Sequence, residues 1–376
     1  MALTILTYPA DTCSVSNEML FVIQESVKAV DPVTYPNYKY VLDVYVASAL
    51  VARMKVNPDP VNSFGIFDVS KILQNYATYG FADPGVTVAD YSIKVDYQVK
   101  LGEEYSDTLY TNLVVDSARS CFQTYKPKPF TSSVAIPNGL ASNMPAITNQ
   151  HGVNIHNIFN VCYNATGVTD ISIVFKNEAT TVHTTSVSMA DYLTVNKLRR
   201  INIGTLIATW ANASTHVLIT GDNISQRINI LCSNKYTPYT LVWLNPYGGY
   251  ESQSFGLVSK KTIDVDKKYF TKLDYEVNAS GQVSYKSDNV YYGGKRGYAS
   301  KVKTKLSLTS HLLSDGEYTW LADLFASPDI YFFDGTNFIP VSIAETNYEH
   351  RTYLNSKVTP LQFSIEFGTD YNTQLL

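Results

Sequence analysis

The sequence is short of charge. Asp, Glu, Lys and Arg make up 16% of its 376 residues, against roughly 25% in an ordinary globular chain. The formal net charge is −4, and no basic run is longer than Lys260-Lys261 or Arg199-Arg200. Neutralising a phosphate backbone takes a cluster of Lys and Arg, so nucleic acid is not expected as a direct partner. Cysteine is scarce as well. Cys13, Cys121, Cys162 and Cys232 stand far apart without a C-x-x-C pair. A disulfide framework or structural zinc site would space them more closely, so isolated buried thiols are expected. No apolar run approaches the ~18 residues of a membrane-spanning helix. The amino terminus, Met-Ala-Leu-Thr-Ile-Leu-Thr-Tyr-Pro, has neither the charged n-region nor the long h-region of a secretion signal. Synthesis and folding in a cytoplasm are expected.

The usual marks of catalysis are missing too. There is no Gly-x-Ser-x-Gly elbow, no His-Glu-x-x-His and no phosphate-cradling glycine loop. Gly248-Gly249 is followed by neither a helix nor a lysine. His151 and His156 are five apart in a loop containing Gly and Asn, with no acidic ligand beside them. That spacing suits neither a helix face nor a strand face. No catalytic residue, no cofactor and no metal is therefore expected. Glycoside hydrolysis needs only two carboxylates ~5–10 Å apart, and Glu251 with Glu103 or Glu104 would be the candidates. Glu103 and Glu104 are adjacent and point to opposite faces of a strand, so solvated strand-end acids are the plainer reading.

What the chain does contain is tyrosine, 29 of them, within a hydrophobic fraction of 45%. β-branched and aromatic residues suit a pleated, half-buried surface. A surface rich in tyrosine and poor in Lys and Glu suits lasting protein contacts. Period-two alternation places Tyr38, Tyr40, Leu42, Val44 and Val46 on one side of a strand. Leu50–Val56 carries Arg53 and Lys55 on its solvent face, and Asn57-Pro58-Asp59-Pro60 is a turn. Asp68 is a helix N-cap ahead of a stripe of Val69, Ile72, Leu73 and Tyr76, and Tyr91–Val99 alternates as one further strand.

The expected fold is mainly β, with two or three antiparallel β-sandwich domains and a few short helices. Residues 1–120 form the first sandwich and 121–150 a proline-containing linker or arm. Residues 151–235 form a second sandwich, with short strands between turns at Gly167, Gly204 and Gly221-Asp222-Asn223. Residues 236–376 form a β-rich domain with one capped helix at about 314–326. There Ser314-Asp315-Gly316-Glu317 fits a capping box, Tyr318, Leu321, Leu324 and Phe325 make the apolar stripe, and Pro328 blocks any continuation of the helix. Asp334-Gly335 turns a hairpin between Ile330–Phe333 and Phe338–Ile343. Gln362–Phe367 is a closing strand.

The stretch Leu-Val-Trp-Leu-Asn-Pro-Tyr-Gly-Gly-Tyr-Glu-Ser-Gln-Ser-Phe-Gly, residues 241–256, turns a corner on this reading. Asn245 and Pro246 start the turn, Gly248-Gly249 accept unusual backbone angles, Trp243 anchors the strand, and Glu251 is an ordinary polar or interface residue. Tyr247 and Tyr250 beside this turn, and Tyr291 and Tyr292 before Gly293-Gly294, are the aromatics available to a glycan or a neighbouring subunit.

Trp243-Leu244-Asn245 followed by Gly248-Gly249-Tyr250-Glu251 and Phe255 resembles a block in virion proteins of phages infecting Bacteroidetes, crAss-like phages among them. The order of further motifs is similar: the Tyr-x-Tyr-Val-x-Asp-x-Tyr strand at Tyr38–Tyr45, the Asn-Pro-x-Pro turn at 57–60, and Gly65-Ile66-Phe67-Asp68-Val69-Ser70. Trp320-Leu321-Ala322-Asp323-Leu324, Ser327-Pro328 and Pro340-Val341 complete the likeness, which touches both ends of the chain and little of 125–235. The resemblance implies a structural component of the tail, neck or baseplate, located in the virion after synthesis in the host bacterial cytoplasm. It implies partners that are copies of itself and other virion proteins, and it brings no catalytic residues. Proline-rich 124–149 and the tails would lie on neighbours. A receptor- or glycan-binding protein on the particle surface, reading a host glycan, and a cell-wall glycan hydrolase are the rival expectations.

Overall fold

The structure, a computed structural model, describes residues 3–10, 12–77, 88–91, 94–123, 139–140, 142–151, 158–162, 170–189, 198–203, 213–231, 238–345, 348, 359–368 and 371–374. It is mainly β, with several antiparallel sheets and a few short helices. Arg119–Phe122 pairs with Thr12–Ser14, and Ile147–His151 with Ile224–Leu231, in parallel. None of the described helices is long and apolar enough to cross a membrane.

The chain divides into two compact units. The first holds Met1–Ser233, Val242–Ser254 and Asp315–Asp329; the second holds Asn234–Leu241, Phe255–Ser314 and Ile330–Leu376. Two hydrophobic cores lie inside the first unit. In one, Thr4–Thr7, Leu20–Gln24 and Phe64–Asp68 form a three-stranded sheet, packed on a second sheet that includes Lys39–Val46, Ala49–Val56 and Lys94–Tyr105. Phe21, Ile23 and Phe67 from one sheet meet Tyr40, Leu42, Val44, Val99 and Leu101 from the other. The expected alternation of Tyr38, Tyr40, Leu42 and Val44 is therefore the core face. The opposite face of that central strand is covered too, because Asp43 is 2% exposed and accepts a bidentate pair from Arg53, at 2.6 and 2.8 Å. Arg53 and Lys55 lie at the surface as expected. Two-residue turns at Ala47-Ser48 and Ser106-Asp107, with positive φ at both positions, close the flanking hairpins in the twist-compatible way.

The other core is built by Ile171, Ile173 and Phe175, which recur with period two, against Val217, Ile219, Ile228 and Ile230, with Ile201 and Ile203 from the facing sheet. Tyr91–Val99 does not run as one strand. Val88–Tyr91 pairs with Leu198–Asn202 of this second sandwich, while Lys94–Tyr105 pairs with Lys39–Val46 of the first. The segment at 121–150 is also more than a linker. Gly139–Leu140 pairs with Ile158–Cys162, and Ile147–His151 adds a strand to the five-stranded sheet. Residues 124–138, and with them the contacts expected of the Lys-Pro-Lys-Pro stretch, lie outside the described residues.

Cys13 and Cys121 are buried free thiols, but they stand opposite each other in register on a parallel pair rather than isolated. Burial pushes Cys13 up to about 12 and Cys121 upward as well, so both are protonated and unreactive at neutral pH. Cys232 and the side chain of Cys162 lie outside the described residues.

The helix expected after Asp68 is a single turn, α1 (Ser70–Leu73), and its N-cap position is Val69 rather than Asp68. The Asp68 carboxylate accepts from the amides of Ser70 (2.9 Å) and Met19 (3.0 Å). Because the helix stops so early, Tyr76 is exposed rather than part of a buried stripe. The second helix, α2 (Asp315–Ala326), falls where the capping residues place it.

In the second unit Ile330–Phe333 and Phe338–Ile343 form the expected hairpin. The Asp334 carboxylate receives the amides of Thr336 (2.8 Å) and Asn337 (2.7 Å), and Gly335 takes φ 105°. Phe332 packs on Phe367 and Phe255 on Phe363, with ring centroids 5.4 and 5.1 Å apart.

Arg53→Ala would leave the buried Asp43 without its counter-charge. We expect a loss of about 2 kcal/mol in urea unfolding, below the usual cost for a fully buried pair because the arginine is partly solvated. An unchanged midpoint would show that Asp43 is compensated in another way.

Candidate functional site

The corner at residues 245–249 is made by Asn245. Its Oδ1 accepts from the amides of Tyr247 (3.0 Å) and Gly249 (2.9 Å), its own amide donates to the Gly249 carbonyl (2.7 Å), and Gly248 takes φ 89°. The next strand departs from expectation. All six residues of Tyr250–Phe255 are buried, including Glu251, Ser252, Gln253 and Ser254. Glu251 and Gln253 bond to Trp320 and to residues 149–150 of the first unit, while Phe255 packs on Phe363.

Glu251 is 0% exposed, so it is not an ordinary surface or interface residue. It accepts from Asn245 Nδ2 at 2.7 Å and from Trp320 Nε1 on α2, and is hydrogen-bonded by Ser142. The Trp320 ring lies on Trp243, centroids 5.2 Å apart. Beside it Gln150 Nε2 donates to Gln253 Oε1 (2.6 Å), Gln253 Nε2 donates to the Asn149 carbonyl (3.1 Å), and the Asn149 amide donates to Glu317 of α2 (2.9 Å). Asn143 Nδ2 donates to Asp323 (2.6 Å), and the Tyr247 hydroxyl donates to Asn143 Oδ1 (3.2 Å). Burial pushes Glu251 up to about 7, against the pull of its three hydrogen-bond donors, and the nearby charge of Asp323 adds to the rise.

A carboxyl of this kind in a cleft would suit acid–base work. Here it has no exposed surface, and its effect is to pin a hairpin to a helix. Glu103 and Glu104 point to opposite faces of their strand. Glu103 is buried on Lys28 and the Tyr38 hydroxyl, and Glu104 pairs with Lys55 and Lys39. Among the described residues no group of three or more His, Cys, Asp and Glu is placed to hold a metal ion. His156 and the His151 side chain lie outside those residues.

The four tyrosines singled out by sequence divide between the two units. Tyr250 is 1% exposed, with its hydroxyl on Asp329, and offers no ring face to a glycan or a subunit. Tyr247 is half-buried. Tyr291 and Tyr292 belong to the second unit. Tyr292 is half-buried with the Lys272 ammonium 5.4 Å from its ring centre, whereas Tyr291 is 70% exposed.

Tyr291 sits on a feature that the sequence reading missed. Lys260–Lys272 pairs with Gly294–Leu313 antiparallel, from Lys260↔Ser307 to Lys272↔Gly294 with a register shift between Lys268 and Tyr269, and all thirteen residues of the first strand are exposed. Thirteen residues of strand extend on the order of 40 Å. Residues 273–293 carry two short hairpins, the second turned by Asp288-Asn289 with φ 51° and 65°. Strand register makes the arm two-faced. Ile263, Val265 and Tyr269 share one side with Val302, while Asp264 and Asp266 oppose Lys303 and Lys301 on the other. Ile263, Val265 and Tyr269 remain 56%, 46% and 47% exposed.

Among the described residues 29 large hydrophobic side chains are exposed, and 15 of them fall between Leu257 and Leu312. Half of that surface thus sits on one short stretch with few buried residues of its own. The second strand of the arm is also paired on its other side, Ala299–Val302 with Tyr371–Gln374 and Lys305–Leu313 with Thr359–Phe367. Only the outer part, Tyr269–Lys272 with Gly294–Gly297, is therefore two-stranded and marginal alone in water. Concentrated apolar surface marks a contact site. Lys260–Lys272 is also the terminal strand of its sheet, with charged side chains blunting the open edge. A signal was present in the sequence: residues 260–305 hold 11 of the 29 Lys and Arg.

The chain matches no protein-family model and no curated protein sequence, so function rests on these residues.

Glu251 gives the first unit a pH signature. Its folded pKa lies above the unfolded value, so the stabilising contribution is full below about pH 4.5 and is lost as pH rises through about 7. Relative to Glu251→Gln, the protein should lose about 3 kcal/mol between pH 4.5 and 7.5. Urea melts across that range check it, and parallel curves would refute the assignment.

Proposed function

We propose that the chain is a non-enzymatic building block of a bacteriophage particle, in its tail, neck or baseplate, working through large contacts with copies of itself and with other virion proteins. The observation that carries this reading is the arm at 260–305, which places aliphatic and aromatic side chains in water on a ribbon with few buried residues of its own. Stable assemblies commonly bury more than ~2,000 Å², and surface of this kind supplies it. The resemblance of motif order at both ends of the chain points the same way, and the virion is the corresponding location. Against hydrolysis, the acids nominated for it, Glu251, Glu103 and Glu104, are all engaged in hydrogen bonds or ion pairs.

A second reading, host-glycan binding, draws on the far end of the arm, where Tyr275, Tyr285 and Tyr291 are exposed and sugars stack on such rings.

Light scattering with negative-stain imaging of the purified chain tests the first reading. We expect concentration-dependent oligomers or rings. A monomer at every concentration that binds glycans through Tyr291 would replace it with the second.

A further inference from the structure

We infer that the arm docks on the first unit of a second copy of this chain, so that copies join head to tail. This rests on the assembly reading above and names its contact. Charge chooses the occupant. Residues 260–305 contain eleven Lys and Arg and five Asp and Glu, a net +6 in a chain of net −4, which leaves −10 on all other residues. The residues of the first unit hold 15 Lys and Arg against 23 Asp and Glu, a net −8. Two arms brought together would set +6 against +6, whereas an arm on a first unit sets opposite signs together.

Apolar chemistry agrees. The first unit offers exposed aliphatic side chains beside carboxylates. Val33 and Val61 are almost fully exposed, each following an aspartate, Asp31 or Asp59, whose Oδ1 accepts the valine's own amide, at 3.2 and 2.9 Å. Such loops can meet both the Ile263–Val265–Tyr269 side of the arm and its lysines.

Nucleic acid is the other acidic occupant to weigh. Phosphates give nothing to Ile263, Val265, Leu273 or Val290. The arm's lysines are also partly answered within it, as Lys305 pairs with Asp264 (3.4 Å) while Asp266 opposes Lys301. A contact between unlike surfaces closes in a pair only where two copies exchange arms reciprocally; otherwise it continues into a ring or an open layer.

The test uses the full chain and two arm variants, Ile263→Thr/Val265→Thr/Tyr269→Thr and Lys267→Glu/Lys268→Glu/Lys272→Glu. Every altered side chain is exposed, and threonine retains strand preference. An unchanged urea midpoint checks that each variant is folded. In light scattering each variant should require at least about tenfold higher concentration to associate with itself. Tagged variant mixed with untagged wild type should still capture it, because the variant keeps the receiving surface, and it should shorten wild-type assemblies by ending them.

A variant that neither self-associates nor captures wild type would mean that arms meet arms and would overturn the head-to-tail contact while leaving assembly intact. Variants that assemble as well as wild type would overturn the arm's role in the same way. A wild-type chain that stays monomeric at all concentrations would overturn this inference and the assembly reading together. If that monomer shifts a labelled oligonucleotide and the glutamate variant does not, the arm's occupant is nucleic acid.

Discussion

The first unit depends on a carboxyl group that has no contact with water. Glu251 sits at the end of a hairpin, and its oxygens are held by Asn245 from the preceding turn and by the Trp320 indole of α2. Around it, polar side chains of 142–151, 242–254 and 315–329 bond to one another in place of water, although Thr148 Oγ1, Gln150 Oε1 and Trp243 Nε1 stay buried without a partner. An unpaired buried polar group costs the full penalty of its lost hydration, so these segments stand or fall together. Such a network holds one arrangement more strictly than an apolar contact of equal area, because few other alignments satisfy its donors and acceptors.

The same constraint explains how the units are drawn along the chain. Residues 242–254 and 315–329 belong to the first unit, although the residues flanking them belong to the second. Their membership follows from hydrogen bonding to 142–151, and no apolar stripe in the intervening sequence announces it. The apolar content of the second unit is meanwhile divided between a small aromatic core around Phe332 and Phe363 and an arm that keeps much of its apolar surface in solvent. Surface withheld from a core in this amount is what the proposed assembly contact would bury.

Elements that carry their own local signal were legible in the sequence. Tyr40, Leu42 and Val44 alternate with enough apolar contrast to show the core face, and Ser314 with Glu317 announces α2. The Asp334-Gly335 turn was equally plain. Tyr250–Phe255 was not, because a strand of Glu, Ser and Gln reads as half-exposed unless its distant partners are known. Ile147–His151 hid for the same reason. The arm failed in the opposite sense: Ile263 and Val265 alternating with Asp264 and Asp266 look like a strand with one covered face, and periodicity cannot say whether a cover is present. Its charge, concentrated between 260 and 305, was the cue that went unused. Of the candidate site, Tyr291 was placed correctly at the surface, while Tyr250 and Glu251 owe their burial to residues more than sixty positions away.

The passage of the chain between units at residues 234, 242, 255, 315 and 330 also sets a timetable on the ribosome. The first unit cannot close its polar network when residue 233 emerges, since Trp320 and Glu317 have yet to be made. At 5–20 residues per second the wait is roughly 5–20 s. During that time the arm, with its exposed apolar side chains, is synthesised ahead of the helix that completes the first unit's polar network. Chains still under translation therefore expose the arm's apolar side chains while the first unit is unfinished.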